Sequence, residues 1–158
     1  MSDAVKELKE KLFYEKKNGL LKADEATLDS MQKYCEGYKA YLDAAKTERE
    51  AVATAIALAE QKGFVPFVIG KQYYAGDKVY FNNRGKTVAF AVIGKEKADK
   101  GINITAALVD SPRLDLKPNP LYEELELALF KTHYYGGIKK YQWTALPLAL
   151  HGVFANKD

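Results

Sequence analysis

Ile104-Thr105-Ala106-Ala107-Leu108-Val109-Asp110-Ser111-Pro112-Arg113-Leu114-Asp115 is the stretch on which the rest of the chain turns. From Ile102 to Val109 the residues are almost all apolar, which predicts a strand buried on both faces. Asp110-Ser111-Pro112 then predicts a turn, because Asp and Ser side chains bond to nearby backbone and Pro fixes φ. Residues two apart on a strand share a face. A His at position 108 would therefore stand beside Asp110, as a metal ligand backed by a carboxylate. Position 108 is Leu. The chain has the frame of a metal site with an alkyl group at the ligand position.

Working back toward the N-terminus, Thr87 to Ile93 is a second apolar run and predicts another strand buried on both faces. Asp77 to Asn82 alternates, with Val79 and Phe81 on one face and Tyr80 on the other. Asn83-Arg84-Gly85-Lys86 between them is a hairpin turn in which Gly85 supplies the positive φ. Lys95 to Lys100 reads as a charged, solvated loop. The first third is helical. Val5, Leu8, Leu12 and Phe13 recur at helical spacing, and Asn18-Gly19 is the expected stop. A second helix carries Leu28, Met31, Tyr34, Cys35, Tyr38, Tyr41 and Leu42, with Asp24 or Thr27 as its cap and Cys35 expected in or near the core. Thr47-Glu48-Arg49-Glu50 has the form of a capping box for a third helix, Ala51 to Gln61, with Val52 and Ile56 on one face and Gly63 ending it.

Beyond Pro112 the pattern changes. Pro118, Pro120 and Pro147 interrupt it, and Leu125 to Lys131 alternates like a strand. Glu123-Glu124 reads as a solvated turn. Tyr134-Tyr135-Gly136-Gly137 is a close backbone contact, a subunit contact or a plain turn. Trp143 to Val153 is apolar without a helix start, and the chain stops at Asp158 with no closing element, as a piece of something longer would.

The 158 residues make one domain the natural prior. With 47% hydrophobic and 28% charged residues the composition is that of an ordinary globular protein. The net charge of +3 is small and dispersed, which argues against a nucleic-acid partner. No apolar run reaches the roughly 20 residues of a membrane span. The single Cys35 cannot form an internal disulfide, so a reducing cytoplasm is expected.

Four segments carry a resemblance: Ala45 to Ala51, Asn83 to Lys86, Asp110 to Tyr122, and Lys131 to Trp143. In this order they resemble the aspartyl aminopeptidase family of zinc aminopeptidases (peptidase family M18), and its bacterial branch most closely. The resemblance runs from about Lys11 to the end and covers only the N-terminal portion of that longer family. It implies an α/β fold: N-terminal helices plus part of a three-layer α/β/α metallopeptidase domain over residues 1–116. The start of an inserted β-rich oligomerisation domain would follow over residues 117–158. It also implies a hydrolase of peptide substrates that releases N-terminal amino acids, two zinc ions, and a homo-oligomer.

By that resemblance Leu108 stands where the family has its first metal-ligand His. Asp110 stands where it has the carboxylate that orients that His, and is the one candidate catalytic residue here. The family's other ligands, a bridging Asp, a Glu pair, a further carboxylate and a distal His, would lie past Asp158. Glu123-Glu124 is not that Glu pair. An alkyl side chain has no lone pair for zinc, so no metal ligand is expected in this chain and no bound zinc. Left without a His partner, Asp110 reads more simply as a turn residue. His133 and His151, the only histidines, have no acidic partner at ligand spacing and read as structural or surface residues. The expectation is a chain inactive alone; the alternative is a non-catalytic truncated paralogue or an oligomer-interaction module.

Overall fold

The computed structural model describes residues 3–14, 16 and 18–157. They form two compact units, Met1–Ala40 and Tyr41–Asp158.

In the first unit, α1 (Asp3–Leu12) ends well before Asn18-Gly19. Its stripe runs out there, since no aliphatic residue follows until Leu20. Asn18 instead opens a 3₁₀ turn at Gly19–Lys22, accepting the Leu20 N–H at 3.0 Å. Helix α2 (Glu25–Ala44) crosses into the second unit. Of its two possible caps, Asp24 serves: its Oδ1 accepts the Thr27 N–H at 2.8 Å. Cys35, expected near a core, is exposed, because no residue of α2 is buried.

The second unit is built on α3 (Glu48–Glu60) and a three-stranded sheet. The capping box forms as the sequence suggests. Thr47 Oγ1 accepts the Glu50 N–H, and Glu50 Oε2 accepts the Thr47 N–H at 2.9 Å. Two of the helix's orphan donors are thereby satisfied. The sheet comprises β1 (Val65–Pro66), β2 (Lys78–Asn83) and β3 (Thr87–Val92), in that order. β1 runs parallel to β2, which pairs antiparallel with β3 from Lys78↔Val92 to Asn83↔Thr87. The turn between them has positive φ at Arg84 (59°) as well as Gly85 (67°), the geometry that matches strand twist in a tight hairpin.

The core is small. Among the described residues only Ala51, Val52, Val79 and Tyr80 are buried hydrophobics. Tyr80 faces α3, where its hydroxyl donates to Glu60 Oε1 at 2.7 Å. Phe81 shares the pleat face of Val79 but is exposed, next to the open turn. β3 is not buried on both faces as its apolar run suggests. It is the outer strand of the sheet, and among the described residues no strand pairs with its far edge. The larger correction concerns Ile102 to Val109, which forms no strand. Ile102, Ile104 and Leu108 are 70%, 77% and 89% exposed. An inner strand needs a neighbour on each side, and the described residues supply none.

A separate two-stranded sheet pairs β4 (Arg113–Glu124) with β5 (Leu127–Tyr135). The prolines hid β4 from sequence reading. Between Leu116↔Thr132 and Leu121↔Phe130 the register shifts, so Lys117 to Pro120 stand opposite Lys131 alone. Pro118 and Pro120, which cannot donate to a ladder, sit in that irregularity. Glu123 and Glu124 end β4 exposed, and Glu123 Oε1 accepts the Glu126 N–H at 2.8 Å across the turn.

Candidate functional site

Asp110 lies at the entry to β4, and what surrounds it is Arg113. The Arg113 Nη1 is 3.5 Å from Asp110 Oδ2, and its Nε donates to Asp115 Oδ1 at 2.7 Å. Its guanidinium lies over the Tyr135 ring, 4.2 Å from the centroid, a cation–π contact across the β4–β5 pair. The Arg113 pKa is raised above its ordinary value. The hydrogen bond to Asp115 is the main cause, joined by the charges of Asp115, Glu48 and Asp110 against a desolvation cost. The Tyr135 hydroxyl is likewise held up, first by its hydrogen bond to Asp110. In this arrangement Asp115 is the nearer carboxylate to Arg113 and Asp110 the farther, and the Arg113 side chain ties the start of β4 to Tyr135 of β5.

Leu108 is not on one face with Asp110, since the strand that would align them is absent, and its side chain points no donor at anything. Among the described residues there is no group of three or more His, Cys, Asp or Glu able to hold a metal ion. A catalytic zinc needs three protein ligands. The residues present therefore do not fit one, and no reaction step through a metal follows from them.

The two histidines are placed apart. His133 stacks on Tyr134 with ring centroids 5.3 Å apart, beside an open cavity of about 280 Å³ that Trp143 and Lys140 also line. His151 has an acidic partner after all: its Nδ1 is 2.9 Å from Glu50 Oε1. With the two 101 positions apart in sequence, no motif spacing could have revealed that pair. Gly136 is the close backbone contact among the three readings of Tyr134 to Gly137. A Cβ there would stand 3.3 Å from Pro112 Cα.

Glu50 joins the capping box to His151, and its pKa falls below the ordinary 4.5, first through the His151 hydrogen bond and then through Thr47. A carboxylate whose folded pKa is depressed adds stability that is present above its unfolded pKa and lost as pH falls through the folded value. The thermal midpoint of the native chain should therefore fall more steeply below about pH 4.5 than that of Glu50→Gln. Calorimetric melts in steps from about pH 6 to about pH 3 read this directly. Parallel curves for the two proteins would mean the Glu50 contacts carry no stability.

The geometry can be set beside known proteins. The family model for aminopeptidase I zinc metalloprotease (M18) matches residues 41–158. A probable M18 family aminopeptidase 1 of Clostridium acetobutylicum is 48% identical over 151 residues, covering 93% of this chain and 32% of the relative. The crystal structure of aminopeptidase I from Borrelia burgdorferi B31 superimposes with a TM-score of 0.75 at 43% identity, over 80% of this chain and 31% of that one. An M18-family aminopeptidase of Thermotoga maritima gives 0.74 at 38% identity, over 85% and 29%. The chain thus spans about a third of the length of the relatives it matches. With sequence and fold in agreement over most of its residues, it belongs to the aminopeptidase I zinc metalloprotease (M18) family.

Proposed function

We propose that this chain corresponds to the N-terminal portion of a zinc metalloaminopeptidase that removes N-terminal amino acids from peptides, and that by itself it is not catalytic. The observation that carries this reading is the alkyl side chain of Leu108, at the position where the resemblance implies the ligand His, two residues before Asp110. Asp110 is assigned a structural role here in place of the orienting role the family position implies. Residues 1–116 are assigned to the catalytic-type α/β domain and residues 117–158 to the start of an inserted oligomerisation domain. Homo-oligomerisation is proposed on the same footing. No helix among the described residues is long and apolar enough to cross a membrane. The lone Cys35 supports a reducing, cytoplasmic setting, and the dispersed charge of +3 supports the absence of a nucleic-acid partner.

The test is a peptidase assay on the purified chain with a panel of aminoacyl-nitroanilides, with and without added zinc or cobalt. No turnover above buffer is expected. Chelator-sensitive turnover would overturn the reading.

A second reading, a module that binds a family oligomer through Pro118 to Val153, is favoured by the exposed Leu121, Leu127 and Phe130 on β4 and β5. Gel filtration of the same preparation separates the two. A module gives a defined oligomer, and an orphan piece gives a smear or soluble aggregate.

A further inference from the structure

Residues 145–157 are tied to the rest of their unit at a single polar point. They form neither helix nor strand, and among the described residues none of their amides or carbonyls makes a backbone hydrogen bond. The one hydrogen bond that reaches them joins His151 Nδ1 to Glu50 Oε1, at 2.9 Å. Glu50 is held from the other side. Its Oε2 accepts the Thr47 N–H at 2.9 Å and the Thr47 hydroxyl at 3.0 Å, and it sits in the first turn of α3, where the helix dipole favours a negative charge. The carboxylate is therefore a fixed anion, and the imidazole is the movable half of the pair.

The charges around this point are engaged elsewhere. Glu48 and Arg49 share the first turn of α3, and Arg49 Nη1 donates to the Arg84 carbonyl on the β2–β3 turn at 3.5 Å. Lys46, just before the helix, pairs with Asp43 at 3.4 Å. Arg113, at the start of β4, pairs with Asp115 and Asp110 and feels the charge of Glu48. Among the described residues none of these bonds to Glu50 or His151.

We propose that the Glu50–His151 contact is a charge-gated latch, which holds residues 145–157 against the start of α3 while the imidazole is protonated and lets them go as it loses its proton. Histidine is the side chain whose charge changes between about pH 5 and 8. Protonated, it makes an ion pair and a charge-assisted hydrogen bond with Glu50. Neutral, it keeps only an ordinary hydrogen bond, roughly half as strong. The latch therefore loosens as pH rises past neutrality. Toward acid, Glu50 stays ionised below the ordinary carboxylate range, because His151 and Thr47 hold its charge. The latch is tightest in mild acid and opens on either side.

Limited chymotrypsin digestion of the purified chain tests this. Leu148, Leu150 and Phe154 flank His151 and are exposed, and a protease needs the segment free to enter its cleft. Cleavage then tracks the released population. Cuts after these residues are followed by mass spectrometry at about pH 6 and about pH 8.5, on either side of the imidazole's range. The cut after Phe13, in the other unit, serves as the clock that cancels the protease's own pH dependence. The proteins are the native chain, Glu50→Gln, His151→Asn and the double variant. Gln at the third helical position still closes a capping box, so Glu50→Gln removes the charge and keeps the helix start. At the lower pH each single variant should be cut roughly threefold faster than the native chain, the size expected of a partly exposed pair. The double variant should be no faster than either single one. At the higher pH the four rates should converge. Equal rates for the native chain and His151→Asn at the lower pH, a ratio that does not change with pH, or additive effects in the double variant would each overturn the proposal.

Discussion

Val52→Asp is expected to abolish the cooperative thermal transition of the Tyr41–Asp158 unit. Val52 is 1% exposed and belongs to a core of four side chains, with Ala51, Val79 and Tyr80. A carboxylate at that point would lose its hydration, and no cation is bonded or paired there to replace it. Such burial costs several kcal/mol or forces the group to protonate. Total stabilities of single domains are only about 5–15 kcal/mol, and a core this small sits at the low end of what burial can supply. Val52→Ala grades the effect. Removing two methyl groups and leaving a cavity should cost about 2 kcal/mol. Far-UV circular dichroism melts check both variants. A sharp Val52→Asp transition within a few degrees of the native one would mean that this residue does not carry the stability of the core.

Gly136→Val is the second large effect. The backbone at Gly136 has φ of 79°, a region that β-branched residues avoid. In addition, a Cβ would meet Pro112 Cα at 3.3 Å, a backbone atom that cannot rotate away. Strain of this kind costs roughly 1–3 kcal/mol before the contact is counted. The contact matters because Pro112 lies between Asp110 and Arg113, so a shift there loosens the ion pair at the base of the hairpin. Gly137→Ala is the control. A Cβ at Gly137 meets nothing within 4 Å, and the change should stay within about 0.5 kcal/mol. Urea unfolding of the two variants compares them. Equal midpoints would remove Gly136 from any role in holding the hairpin closed.

What could be read from the amino-acid sequence was what is decided locally. The Thr47–Glu50 capping box and the Asn83–Lys86 turn each depend on four consecutive residues, and both stand as expected. Strand β4 escaped notice because its prolines argue against a ladder, and the bulge that accommodates them is visible only once β5 is beside it. Ile102 to Val109 failed in the opposite way. Its composition is right for a buried strand, but burial is a property of neighbours, and the neighbours are not among the described residues. Cys35 fails for the same reason, on a helix with no buried face. At the candidate site, the Leu at 108 and the Asp at 110 could be read directly. The placing of Arg113 between Asp110, Asp115 and the Tyr135 ring could not, because Tyr135 comes from the far strand of the hairpin. The His151–Glu50 pair joins residues too distant in sequence for any spacing rule.

The most direct test of the central claim is a calorimetric zinc titration of the purified chain and of Leu108→His. The account predicts no stoichiometric zinc binding by the native chain and no submicromolar site in the variant. One imidazole added near a single carboxylate falls short of the three protein ligands a catalytic zinc requires. Stoichiometric binding by the native chain, or submicromolar affinity in Leu108→His, would contradict it and return a working metal site to these residues.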